Sequence, residues 1–202
     1  MKRTVWLALV ASLIFLLAGC SENQVQASVP EIEFIAHAGH QYPQLKVLGN
    51  DEIINIINTE IEVQFQQFID NRKCDDAIRS LVSSNETIIS ILLKTESNLG
   101  YGTDGEIWGI CYDYGKKTII PCGTYLSWLG FSYADICQDI KMKLNEDGLY
   151  EYISVPYCYF DENSNPVLVV IALEHPIGAD SWKRIYYYSP VSNSFINSPW
   201  TT

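Results

Sequence analysis

Gly100, Gly102 and Gly105 spell G-x-G-x-x-G, the spacing that cradles a dinucleotide pyrophosphate where a strand opens directly into a helix. Here Gly105 runs into Glu106-Ile107-Trp108-Gly109-Ile110, which alternates with a period of two. The glycines therefore join two strands, supply freedom for a close turn and form no phosphate cradle. His37, His40 and His175, the last beside Glu174, are residue types that bind metal. On one strand, however, His37-x-x-His40 puts its two side chains on opposite faces, so surface or structural histidines are expected. Asp161 and Glu162 have the chemistry for acid–base work, yet "DENSNP" is a turn by composition. No G-x-S-x-G is present, Cys137 sits on a helical core stripe, and Asn85-Glu86-Thr87 matches a glycosylation acceptor. No set of residues specifies a reaction. The chain reads as non-catalytic, with no cofactor and no metal.

The one residue with a specific covalent chemistry is Cys20. Lys2 and Arg3 precede an uncharged, mostly apolar run from Val5 to Leu17, followed by Leu17-Ala18-Gly19-Cys20. That run is shorter than the roughly 20 residues a membrane-spanning helix needs, so residues 1–19 read as an export signal. Small residues before a cysteine are what lipoprotein processing requires, and the Cys20 thiol then takes the lipid. Of six cysteines this leaves Cys74, Cys111, Cys122, Cys137 and Cys158. They can form at most two disulfides, with partners that spacing does not choose, and no C-x-x-C motif is present.

A leader of 19 residues leaves 183 of the 202, and removing Lys2 and Arg3 takes the formal net charge from −11 to −13. This acidity argues against nucleic acid or an anionic membrane surface as partner and favours a basic one. Nearly half the residues are hydrophobic, which argues against global disorder.

The elements that must position these residues follow from periodicity. Residues 20–30 read as a tether, and 31–200 as one α+β domain or two closely packed lobes dividing near residue 100. Ile32, Phe34, Ala36 and Ala38 alternate as a strand; Ile53, Ile54, Ile57, Ile61, Phe65, Phe68 and Ile69 form a helical stripe from Asp51 to about Asp70. Residues 71–84 read as loop. Thr87–Leu93, Glu106–Asp113 and Thr118–Ile120 read as strands, and Pro121 with Gly123 as a closing loop. A second helix spans Ser132 to Asn145, capped by Ser132. Tyr157–Phe160, Val167–Leu173 and Arg184–Ser189 complete the strands. The expected fold is α+β: a mostly antiparallel sheet with two main helices on one face.

"ICYDYGKKTIIPCGTYL" resembles an aromatic strand, an acidic turn with Gly-Lys, a short β-return and a helix; "YPQLKVLGNDEIINIINTEI" resembles the entry of the same family. That family is the extracytoplasmic α+β domain of lysozyme-sensing anti-sigma-V factors and of some peptidoglycan deacetylases, with many stand-alone lipoproteins. The likeness would cover about Tyr42 to Tyr188. Two departures stand out. The family's Gly-Gly-Ala-His loop lacks its histidine here, and Glu174-His175-Pro176-Ile177-Gly178 matches the family's Pro-Tyr-x-Ile-Ala region only loosely. The resemblance implies a bacterial cell-envelope lipoprotein, outside the cytoplasm and membrane-anchored. It would bind a basic protein such as a lysozyme-like wall hydrolase, or a wall glycan. Because Tyr and Trp suit interfaces, Tyr101, Asp104, Trp182 and Tyr187 are the candidate partner-binding residues. The alternative is an envelope hydrolase or metal-dependent enzyme built on His175 and nearby carboxylates.

Overall fold

The computed structural model describes residues 29–46, 49–71, 77–96, 105–146, 149–175, 178 and 180–200. Strand β1 (Glu31–His37) turns through Ala38 and Gly39 into β2 (His40–Lys46). Both turn residues have positive φ, 50° and 81°, the two-residue geometry that matches the twist of a hairpin. Asp51 then caps helix α1 (Glu52–Asn71), its Oδ1 accepting from the Ile53 and Ile54 amides at 3.1 and 3.4 Å. Ile54, Ile57, Ile61, Phe65 and Phe68 bury one face of α1 against Tyr42 and Leu45 of the hairpin. Asn58 extends that contact, accepting from the Leu45 amide and donating to its carbonyl, at 2.8 and 2.9 Å.

Two four-stranded antiparallel sheets make the body. The first runs β3 (Ala77–Ser84), β4 (Ile88–Glu96), β5 (Ile107–Asp113) and β6 (Thr118–Ile119), in that order. The second has the order β10 (Ser194–Ile196), β9 (Trp182–Ser189), β8 (Pro166–Glu174) and β7 (Tyr150–Phe160). Helix α2 (Cys122–Trp128) and helix α3 (Tyr133–Leu144) lie between them in sequence. Ile89, Ile91 and Leu93 of β4 join the core under α1, while Leu92 packs with Val167, Val169 and Tyr187 of the second sheet. With both faces covered, β4 reads as an unbroken apolar run instead of alternating. Leu126, Ile140 and Leu144 of the two later helices cover the other face of the second sheet at Leu168, Val170 and Tyr188.

The first sheet and helix α3 are both stitched to the outer edge of β7. Ser90 Oγ donates to the Cys158 carbonyl at 2.6 Å, the Phe160 amide to Ser83 Oγ at 2.9 Å, and Tyr133 to the Val155 carbonyl at 2.8 Å. An edge that would otherwise invite another strand is thereby satisfied by side chains.

Several expectations need correction. The chain is α+β with antiparallel sheets, but there are two large sheets. Three helices are described, with α1 against the first sheet and α2 and α3 against the second. Helix α2 occupies a stretch that reads as loop by composition, because Pro121 and Gly123 bracket its start, although the motif likeness ends in a helix there. Pro121 is its N-cap, and Gly123 is small because a Cβ there would lie 3.2 Å from the Tyr133 ring. Much of the expected loop at 71–84 is β3. Phe34 is half exposed, since β1 is the outer strand of a two-stranded ribbon and mainly β2 reaches the core.

One polar network ties α3 to β9. Asp139 Oδ2 accepts from Lys143 Nζ at 2.7 Å and from Tyr188 at 2.5 Å, and Lys143 also reaches the Asn193 carbonyl at 2.8 Å. Lys143, and then Tyr188, hold the Asp139 carboxyl below its ordinary range. A depressed carboxylate contributes stability above its unfolded pKa and loses it as pH falls through the folded value. Asp139→Asn is therefore expected to cost about 1 kcal/mol at neutral pH. The gap from wild type should close progressively below about pH 4. Thermal melts at a series of pH values check both.

Candidate functional site

The ends of three strands of the second sheet converge at Glu174, the last residue of β8. It stands opposite Trp182, the first residue of β9, and opposite Tyr150, the first residue of β7. Glu174 Oε2 accepts from Trp182 Nε1 at 2.7 Å and from Arg184 Nε at 2.8 Å. Arg184 first, and Trp182 second, keep the Glu174 carboxyl below the usual carboxylate range. The Arg184 guanidinium also lies 5.1 Å from the centre of the Trp182 ring, within cation–π reach. Trp182 is thus a half-buried indole fixed by a carboxylate at its N–H and stacked by a cation. Such an aromatic presents contact area with little rotamer freedom left to lose.

Beside it lies a second polar chain. The His175 amide donates to the Leu149 carbonyl at 2.6 Å, and its Nδ1 hydrogen-bonds to Ser181 Oγ. Glu151 Oε2 stands 2.6 Å from His175 Nε2. Nε2 is closed off from water and has no aligned hydrogen-bond partner, so this is a close approach without hydrogen-bond geometry. Serine, imidazole and carboxylate in a row have the chemistry of nucleophile, base and orienting acid. Glu151, however, is 69% exposed, and its field on the ring is screened by solvent. Tyr150 and Tyr186 close the cluster, their hydroxyls 2.7 Å apart. Burial, and then the bond to Tyr150, push the Tyr186 phenol up.

The structure sorts the residues singled out in the sequence. Trp182 belongs to this cluster and begins β9, two residues before the strand expected from Arg184. Cys20, Tyr101 and Asp104 lie outside the described residues. The following residues, Gly105 and Glu106, lie against β4 and β9. The Thr95 amide donates to the Glu106 carbonyl at 2.9 Å, and Glu106 Oε1 pairs with Lys183 Nζ at 2.6 Å. Glu106 therefore lies beside Lys183 of β9, and Gly105 leads into β5, a strand, as the alternation predicts.

Tyr187 is not available to a partner. It is 3% exposed, and its hydroxyl accepts from Trp200 Nε1 at 2.7 Å between the sheets. A one-sided strand would expose a ring among Tyr186, Tyr187 and Tyr188, whereas β9 has a covered face on each side. His37 and His40 do not share one strand: they pair across the β1–β2 hairpin. Among the described residues no group of three His, Cys, Asp or Glu side chains has metal-binding geometry. Asp161 is used by its turn, Oδ1 accepting from the Asn163 and Asn165 amides at 2.9 and 2.8 Å. Asn85 is likewise engaged, its Oδ1 accepting from Thr87 and Ile88 amides and its Nδ2 donating to Tyr125.

Sequence reasoning missed Glu151, Ser181 and Arg184. The only signal was the even spacing of Trp182 and Arg184 on one strand face, which becomes meaningful once Glu174 is known to lie opposite. No protein-family model matches the chain, and no curated protein matches it.

Proposed function

We propose that this chain is a lipid-anchored, non-catalytic binding module of the bacterial cell envelope, holding a basic protein such as a lysozyme-like wall hydrolase. The observation that carries the reading is the Trp182–Glu174–Arg184 arrangement, a fixed and partly open aromatic on an acidic body. Tryptophan and arginine dominate the energetics of protein interfaces. The net charge of −13 that follows removal of the leader would steer a basic partner toward it. The Leu-Ala-Gly-Cys sequence before the tether supports anchoring through Cys20, and the motif resemblance points to a wall hydrolase over other basic proteins. Crosslinking in intact cells, followed by capture through this chain, tests the reading. Enrichment of a basic wall enzyme is expected, with an acylated Cys20 as the first residue of the captured bait. An unprocessed Met1, or a captured set without any basic protein, would contradict it.

One observation favours a second reading, an envelope hydrolase: the Ser181–His175–Glu151 row. A fluorophosphonate that labels activated serines decides between them. The binding reading expects no labelling of Ser181 above that of the denatured protein. Labelling that Ser181→Ala abolishes would bring the hydrolase forward.

A further inference from the structure

Three thiols from distant parts of the chain meet where the sheets join. Cys111 comes from β5, Cys158 from β7 and Cys122 from the first turn of α2, all buried and all unbridged. Cys111 Sγ stands 3.5 Å from Cys158 Sγ and 3.5 Å from the Cys158 carbonyl oxygen. Cys122 also interacts with Cys158. A cavity of about 170 Å³ is lined by all three, together with Gly109, Ile119 and Pro156. Ser90, bonded to the Cys158 carbonyl, pins β7 to the sheet that carries Cys111, so the two sulfurs are held together by neighbours that do not depend on them.

We propose that Cys111 and Cys158 are a redox pair that closes to a disulfide across the two sheets, with Cys122 the adjacent thiol that stays free. The inference does not depend on the identity of any partner. The oxidant is a small-molecule disulfide. One thiol of the pair, as thiolate, attacks a reagent sulfur and releases the first reagent thiol, leaving a mixed disulfide. The second thiol then displaces the remaining reagent thiol and completes the Cys111–Cys158 bond. Two protein thiols thus lose two protons and two electrons, and one reagent disulfide becomes two thiols. Contact with Cys158 and then burial raise the Cys111 thiol well above its ordinary range, so closure is slow at neutral pH and faster as pH rises. The bond would close a loop between positions 47 residues apart. Cross-links of that span raise the melting temperature by on the order of 10 °C. Because a sulfur forms a single disulfide, Cys158 pairs with only one of its two neighbouring thiols at a time.

The test uses the full-length protein incubated with oxidised glutathione, quenched with iodoacetamide in denaturant and digested for mass spectrometry. The expected result is a Cys111–Cys158 cross-linked peptide with Cys122 alkylated, and a raised melting temperature that dithiothreitol reverses. Cys122→Ser is expected to keep the cross-link, and Cys111→Ser to lose it. Complete alkylation of Cys111 and Cys158 after oxidation overturns the proposal, and so does a Cys122–Cys158 cross-link as the main product. Both readouts come from the wild-type chain and hold even if a variant fails to fold.

Discussion

Gly105→Ala is expected to destabilise the fold by about 3 kcal/mol or more, a fall of roughly 6–12 °C in melting temperature. A Cβ at this position would lie 1.7 Å from the Thr95 carbonyl oxygen and 2.5 Å from both its carbon and its Oγ1. The obstacle is mostly backbone, so no rotamer change relieves it. Relief would have to come from separating Thr95 and Glu106, which exchange the last bonds of the β4–β5 ladder: Thr95 amide to Glu106 carbonyl, Glu106 amide to Thr95 Oγ1. Gly109→Ala makes a useful contrast. Its Cβ would lie 2.3 Å from Leu92 Cδ2, the tip of a side chain that can rotate, and a smaller loss is expected. Thermal denaturation of both variants measures the difference. A melting temperature for Gly105→Ala equal to wild type would show that the glycine is not there for close approach.

Trp182→Ala is expected to weaken binding of a basic wall hydrolase about 30-fold, the cost of removing one buried aromatic anchor worth about 2 kcal/mol. The melting temperature should change little, because the indole is half open and lies at the end of its strand. Trp182→Phe separates two contributions. It keeps a ring under Arg184 but removes the N–H that Glu174 accepts, so an intermediate loss is expected. Titration calorimetry with each variant reads both effects. Equal affinities for wild type and Trp182→Ala would remove this cluster from the interface.

What was legible in the sequence, and what was not, follows from how much of each residue's surroundings is local. The α1 stripe and the cap Ser132 depend on residues within a turn or two, and both stand as read; of Asn50 and Asp51, either of which could cap α1, it is Asp51 that does so. The continuous apolar run of β4 was also readable, although it does not say that two different cores claim its two faces. Strand β3 was hidden because it is a sheet edge: Arg79, Ser80, Ser83 and Ser84 meet solvent or side-chain partners and leave little alternation. Tyr187 was misread because its burial depends on Leu92 and Val167, residues that no local pattern connects to it. The polar cluster was harder still. Glu151, His175 and Ser181 meet only because β7, β8 and β9 pair in register, and register is set by the whole sheet.

A soluble form beginning after Cys20 can be titrated by calorimetry with lysozyme, at low ionic strength and again near 0.5 M salt. A saturable heat is expected, with affinity falling roughly tenfold or more as salt screens the attraction between an acidic module and a basic enzyme. Absence of any binding heat at low ionic strength would contradict the central claim.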